Sequence, residues 1–254
     1  MTPQDHAAAA QALLDAEETG RQIGLLSLDY PDMDMDDAYA IQMAILAAKK
    51  AAGRSIIGWK IGLTSQAMQS ALGIDIPDSG ILFDDMLFAQ GATVPPGRFI
   101  QPRVEAEIAF VTKAPLGGAD ITREAVIAAT DYVAPAIEIL DTRIQRQDAA
   151  TGRTRSVFDT ISDNAANAGI VLGTERHPIE AVDLRWVGAI TSRNGAVEET
   201  GLGAGVLNDP IESVVWLARR MSPAQSAPAA PSMMIPPQTP PQTPGAPGAV
   251  VAAA

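Results

Sequence analysis

PRVEAEIAFV, residues 102–111, and YVAPAIEILDTR, residues 132–143, decide how this chain is read. In the first, Val104, Ala106 and Ile108 alternate with Glu105 and Glu107, a period of two that marks a β-strand and sends both carboxylates to one face. In the second, Val133, Ile137 and Ile139 predict another strand with Glu138 in its apolar middle. An E-x-E pair alone is most often a solvated strand face. A glutamate inside AIEIL is different, because a charge buried among aliphatic side chains is costly unless something pairs it. Three carboxylates brought together on two strands repel one another, and a hard divalent cation with oxygen ligands, Mg²⁺ or Mn²⁺, resolves that repulsion.

The rest of the chain brackets this core with helices. Thr2 and Pro3 predict the start of a first helix ending near Gly20. Met35, Ala38, Ile41, Ile45 and Ala48 form the buried stripe of a second, from about residue 34 to 52. SIIGWKIGL, residues 55–63, predicts a strand, Thr64 caps a short helix, and Thr122 caps another reaching about Asp131. Residues 145–157 form a polar loop or lid, and FDTISDNAANAGIVLG, residues 158–173, a short helix feeding a strand. Leu184, Trp186 and Ile190 alternate ahead of Asn194-Gly195, a strong hairpin signal, with AVEETG as the return strand. Asn208 or Asp209 caps a last helix carrying Val214, Leu217 and Met221. After Arg220 no charged residue occurs, and the Pro- and Ala-rich composition predicts an extended or disordered tail.

Bulk properties narrow the function. The 254 residues are 47% hydrophobic and carry a formal charge of −12, which argues against nucleic acid and anionic membranes as partners. There is no cysteine and there are two histidines, so thiolate chemistry is excluded and zinc clusters and Ser/His/Asp triads are disfavoured. No stretch has the length of a membrane span and no signal pattern opens the chain, so a cytoplasmic protein is expected. Lys60, one of four lysines, lies in an apolar strand and must snorkel or meet a carboxylate. It is read either as a structural ion pair or as a proton carrier. Asp78, between Pro77 and Gly80, reads on chemistry alone as a turn former. Asp163 and Asn164 read equally as cap residues or ligand-facing groups.

Six stretches, 58–69, 77–86, 98–111, 129–143, 158–173 and 184–210, resemble in order and spacing the 2-keto-4-pentenoate hydratase and oxalocrotonate decarboxylase group of the fumarylacetoacetate hydrolase superfamily. FDTISDNAANAG with RNGAVEETG favours its seven-carbon dioate hydratases. The resemblance implies an α+β fold: an N-terminal helical lobe over residues 1–54, a metal-binding β-rich roll with a mixed sheet over 55–221, and a tail over 222–254. It implies Glu105, Glu107 and Glu138 as ligands of Mg²⁺ or Mn²⁺, Lys60 and Asp78 as catalytic groups, and Ser162 as a substrate contact. It further implies a small anionic 2-hydroxy-dienoate substrate and a homo-oligomer. Residues 222–254 match none of the family's glycine-rich closing strands, so those strands are expected to be missing or replaced. A 2-oxo-hex-3-enedioate decarboxylase and an inactive subunit partnering an intact homologue are the alternatives.

Overall fold

A computed structural model describes residues 1–65, 69–70, 74–221 and 250–253. Helix α1 (Pro3–Thr19) begins at a reciprocal cap: Thr2 Oγ1 accepts from Asp5 N–H, and the Asp5 carboxylate accepts from Thr2 N–H. It ends at Gly20, whose φ of 67° is the left-handed geometry glycine adopts without strain. After the one-turn α2 (Leu26–Asp29), α3 (Met35–Ala51) repeats the device with Asp34 and Asp37. Leu13, Ile41 and Ile45 from these helices pack with Ile144 and Ile161, so the helical layer takes in residues from well beyond 54.

The sheet is assembled from β1 (Ile56–Gly62), β2 (Asp78–Phe83), β3 (Leu87–Phe88), β4 (Arg103–Thr112), β5 (Thr130–Leu140) and β6 (Asn167–Leu172), with a further strand described below. Helix α4 (Arg123–Ala129), capped by Thr122, runs directly into β5, and α5 (Val157–Ser162) leads to β6. A hairpin, β7 (Gly188–Arg193) and β8 (Ala196–Leu202), stands apart from the main sheet. It turns at Asn194 and Gly195, both with positive φ as the sequence signal requires. Leu184–Trp186, read from sequence as the start of that strand, instead forms a 3₁₀ turn, because Asp183 accepts from Arg185 N–H and tightens the chain there. Asp209 caps α6 (Pro210–Arg220), which buries Val214 and Leu217 against the sheet.

The short helix expected after Thr64 lies largely outside the described residues, as does the tail over 222–249 and Ala254. The expectation of a tail is corrected at Val250–Ala253, which form β9 in the middle of the sheet, order β2-β1-β9-β4-β5-β6-β3. This strand is parallel to β1 and antiparallel to β4. Two valines and two alanines carry no charge and suit a strand, and without them the facing edges of β1 and β4 would leave their backbone groups unpaired.

Directly paired residues share a face of a sheet, so the registers sort the side chains. Trp59, Ile61, Ile81, Phe83 and Phe110 lie on the face covered by α3, α4 and α6. The other face carries Leu82, Ala109, Val111, Tyr132, Ala134 and Ile170, which pack together. The sheet curls, bringing the outer edge of β2 to the start of β6. There the Asn164 amide accepts from Ile81 N–H at 2.7 Å and donates to Ile81 C=O at 2.9 Å, and Asn167 Nδ2 donates to the same carbonyl at 3.0 Å. Two side-chain amides thus close what a strand ladder would close in a barrel, and the second face becomes an interior.

Deleting residues 250–254 is expected to lower the melting temperature by ~10 °C or more, about 3 kcal/mol for a chain of this size, or to leave the protein insoluble. A thermal melt of the shortened chain checks this.

Candidate metal centre and buried lysine

β4 and β5 pair antiparallel with Glu105 opposite Glu138 and Glu107 opposite Ala136, so the three glutamates share the interior face as the alternation predicts. Their carboxylate oxygens lie within 4.8 Å of one another. Glu107 and Glu138 are buried while Glu105 is exposed, placing the cluster at a mouth of the interior. Val104 and Ile137, on the opposite face, are 57% and 44% exposed. Ile139 on that same face is buried, so the strand around Glu138 is covered fully on the carboxylate side and only in part on the other.

Lys60 reaches the same interior from β1. It pairs with Gly80 on β2 and with Ala252 on β9, and Ala252 pairs in turn with Ala109, two residues from Glu107. Its Nζ stands 3.6 Å from Glu138 Oε1 and 3.9 Å from Asp78 Oδ1, so the sequence alternatives for Lys60 meet here: it is paired and it faces the acidic cluster. Asp78 is not a free turn residue but the buried first residue of β2, paired with Gly62. Two glycines make the space. A Cβ on Gly62 would lie 2.5 Å from Asp78 Oδ1 and 2.8 Å from Lys60 Nζ, and one on Gly80 would lie 3.3 Å from Lys60 Cε.

Burial works against the Lys60 ammonium, but Glu138, Asp78, Glu105 and Glu107 outweigh it and hold its pKa above the ordinary lysine value. Burial pushes Asp78 up, opposed by Lys60. It pushes Glu138 up to about 7, and pushes Glu107 well above the usual carboxylate range with help from the Glu138 charge. Four carboxylates around one ammonium leave a large negative excess. Both oxygens of Glu107 and Oε1 of Glu138 are shielded from solvent without a hydrogen-bond partner. An all-oxygen donor set of this kind, short of positive charge, fits a hard divalent cation.

Ser162, at the end of α5, is fully buried and its Oγ has no partner. Asp163 occupies the cap position between α5 and the 3₁₀ turn that follows, with no side-chain cap bond, and its carboxylate is engaged elsewhere. The Asp163 carboxylate accepts from Arg143 N–H at 2.8 Å and pairs with its guanidinium, which also donates to the carbonyls of Asp163 and Asn167. Asn164 holds Ile81. Between them the backbone makes a left-handed turn: Asn164, Ala165 and Ala166 have φ of 52°, 53° and 58°. Residues with a Cβ pay roughly 1–2 kcal/mol each for that geometry, and the fixed contacts of Arg143 and Ile81 over-determine it. Single-sequence reading missed Arg143, Asn167 and the two glycines. The crowding of Asp, Asn and Ala in SDNAAN was the one local signal of an unusual turn.

No protein-family model matches the chain. Among curated proteins it is 50% identical over 218 residues to a 2-oxo-hept-4-ene-1,7-dioate hydratase of Escherichia coli, covering 86% of this chain and 82% of that one. It is 44% identical over 222 residues to a 2-keto-4-pentenoate hydratase of Paraburkholderia xenovorans LB400, covering 87% and 80%. The chain belongs to the 2-keto-4-pentenoate hydratase and 4-oxalocrotonate decarboxylase group. Among solved structures of this group, a 4-oxalocrotonate decarboxylase from Pseudomonas putida G7, complexed with magnesium and adipate, superposes with a TM-score of 0.84 at 34% identity, over 99% of this chain and 87% of that one. The helical layer and mixed sheet are thus those of the family, and Glu105, Glu107 and Glu138 are where the described residues gather oxygen ligands.

Because burial raises Glu138 to about 7 and Glu107 well above the usual carboxylate range, these glutamates take up protons as the pH falls, and a cation must displace them. Mg²⁺ affinity is expected to weaken progressively below pH 7, with protons released on binding. Titration calorimetry in buffers of different ionisation enthalpy measures that release directly.

Proposed function

We propose that this chain is a metal-dependent hydro-lyase that hydrates 2-hydroxyhepta-2,4-diene-1,7-dioate to 4-hydroxy-2-oxoheptane-1,7-dioate, a cytoplasmic step in aromatic-compound catabolism. The observation that carries the reading is the Lys60 ammonium buried between Glu138 and Asp78, beside carboxylate oxygens with no protein donor. Such an arrangement brings a proton source next to a cation site, which the ketonisation and hydration of a dienol both need. Mg²⁺ or Mn²⁺, held by Glu105, Glu107 and Glu138, would supply Lewis acidity toward the carboxylate and neighbouring oxygen of the substrate.

The residues then divide the work. Lys60 delivers a proton to C5 of the dienol, and Asp78 orients the ammonium and carries its counter-charge. The raised pKa of Lys60 depends on unneutralised carboxylates. Once these are engaged elsewhere that support falls away, burial dominates, and the ammonium becomes a better acid. Ser162 offers a buried hydroxyl to the substrate. A 4-oxalocrotonate decarboxylase is the second reading, supported by the likeness to the magnesium and adipate complex. The higher identity to the hydratases favours addition of water.

Turnover is followed by loss of dienol absorbance, with the products analysed for retained carbon. Glu107→Gln is expected to lose Mg²⁺ binding and at least ~100-fold in kcat/KM. Lys60→Met should keep Mg²⁺ binding yet lose a similar factor in kcat. CO₂ release by the wild type would establish the decarboxylase reading instead.

A homo-oligomer is part of the proposal. Ile190, Val197 and Leu202 share one exposed face of the β7–β8 hairpin, Ile190 at 73% and Val197 at 62% exposure, and an isolated two-stranded ribbon is marginal in water. A second copy of the chain covering that face is expected to give a solution mass that is a multiple of 26.5 kDa, reduced by Ile190→Asp. Light scattering on both proteins checks this.

A further inference from the structure

Asn167 stands beside the catalytic lysine with half of its amide unused. A Cβ built on Gly80 would lie 2.5 Å from Asn164 C=O, 3.2 Å from Asn167 Cβ and 3.3 Å from Lys60 Cε, so the base of the Asn167 side chain and the lysine stem both border that glycine. Asn167 is fully buried. Its Nδ2 is committed to Ile81 C=O at 3.0 Å, and its own carbonyl accepts from Arg143. An amide group is planar, so fixing Nδ2 fixes Oδ1. That oxygen is shielded from solvent and has no partner.

The unpartnered acceptors of this interior differ in kind. Those of Asp78, Glu107 and Glu138 are carboxylate oxygens, matched by Lys60 and by a cation. Asn167 Oδ1 is neutral and takes an uncharged or charged N–H or O–H donor. Asn164 grips the same Ile81 carbonyl but has no such spare oxygen, because its Oδ1 already accepts from Ile81 N–H.

We propose that Asn167 binds the water consumed in the reaction, its Oδ1 accepting one water proton beside Lys60; the inference rests on the hydratase reading. In the step served, the water oxygen forms a bond to C4 of the 2-oxo-3-ene. The C3=C4 electron pair moves toward C3 and the 2-oxo group, C3 takes a proton, and the oxygen gives up one of its own. Asn167 holds the water without gaining or losing a proton. Ketonisation consumes no water and does not need this contact.

The experiment separates those two steps. The Mg²⁺-loaded full-length enzyme is given the seven-carbon dienol in D₂O, and NMR follows deuterium entering C5 and formation of the 4-hydroxy product. Asn167→Ala should keep C5 deuteration within a factor of about three and KM unchanged, while hydration falls by about 100-fold. Asn164→Ala, which disturbs the same clamp, should slow both steps alike. Equal loss of both steps in Asn167→Ala, undiminished hydration, or the same split in Asn164→Ala would overturn the assignment. A wild type that ketonises but adds no water removes the hydratase reading and this inference with it. If Asn167→Ala does not fold, a high-resolution structure of the Mg²⁺-bound wild type decides. A water within about 3.2 Å of Oδ1 upholds the proposal, and an oxygen left dry rejects it.

Discussion

A lysine and four carboxylates, three of them buried, are turned into the interior of a sheet and are tolerable only together. Removing the ammonium leaves buried carboxylates with no solvent to replace it, so the site is a single electrostatic unit rather than a set of independent residues. Most of the surrounding architecture serves that constraint. The alternation of β4 supplies two charges to one face, the antiparallel register with β5 places the third opposite, and β1 and β2 bring the ammonium and a fourth carboxylate from the far side of β9.

Holding such a unit open requires rigidity that does not come from the unit itself. Asp163 and Arg143 form a second buried ion pair, and the left-handed turn they secure lets Asn164 and Asn167 grip Ile81. Asp141, at the same end of β5, accepts from the backbone N–H of Ile100 and Gln101, and its own N–H donates to Ala166 C=O. One strand end therefore fixes both the approach to β4 and the turn before β6. The strain stored in three left-handed residues lies next to Gly80, a small displacement of which would be felt directly by Lys60.

The sequence made some of this legible and hid the rest for identifiable reasons. Helix caps at Thr2 and Thr122, a last cap at Asn208 or Asp209 that falls on Asp209, the hairpin at Asn194-Gly195 and the strand faces of Glu105 and Glu107 are local signals, and each appears where the pattern puts it. The proximity of Lys60 to Glu138 depends on a sheet order that no local pattern encodes, so periodicity left its role open. Asn164 looked like a cap or a ligand because its partner, the backbone of Ile81, lies 83 residues away in sequence. The strand at Val250–Ala253 was hidden by composition. Two valines among alanines carry little propensity, and their place is set by the gap they fill.

That gap orders events during biosynthesis. β1 and β4 leave the ribosome early, each carrying part of the acidic interior and a bare edge, and they wait for β9 until the end of the described chain has been made. A nascent chain in that state exposes two unpaired edges beside buried charge, a form prone to pairing with neighbours. The strand that joins the two halves of the acidic interior is thus the last of the described residues to be made.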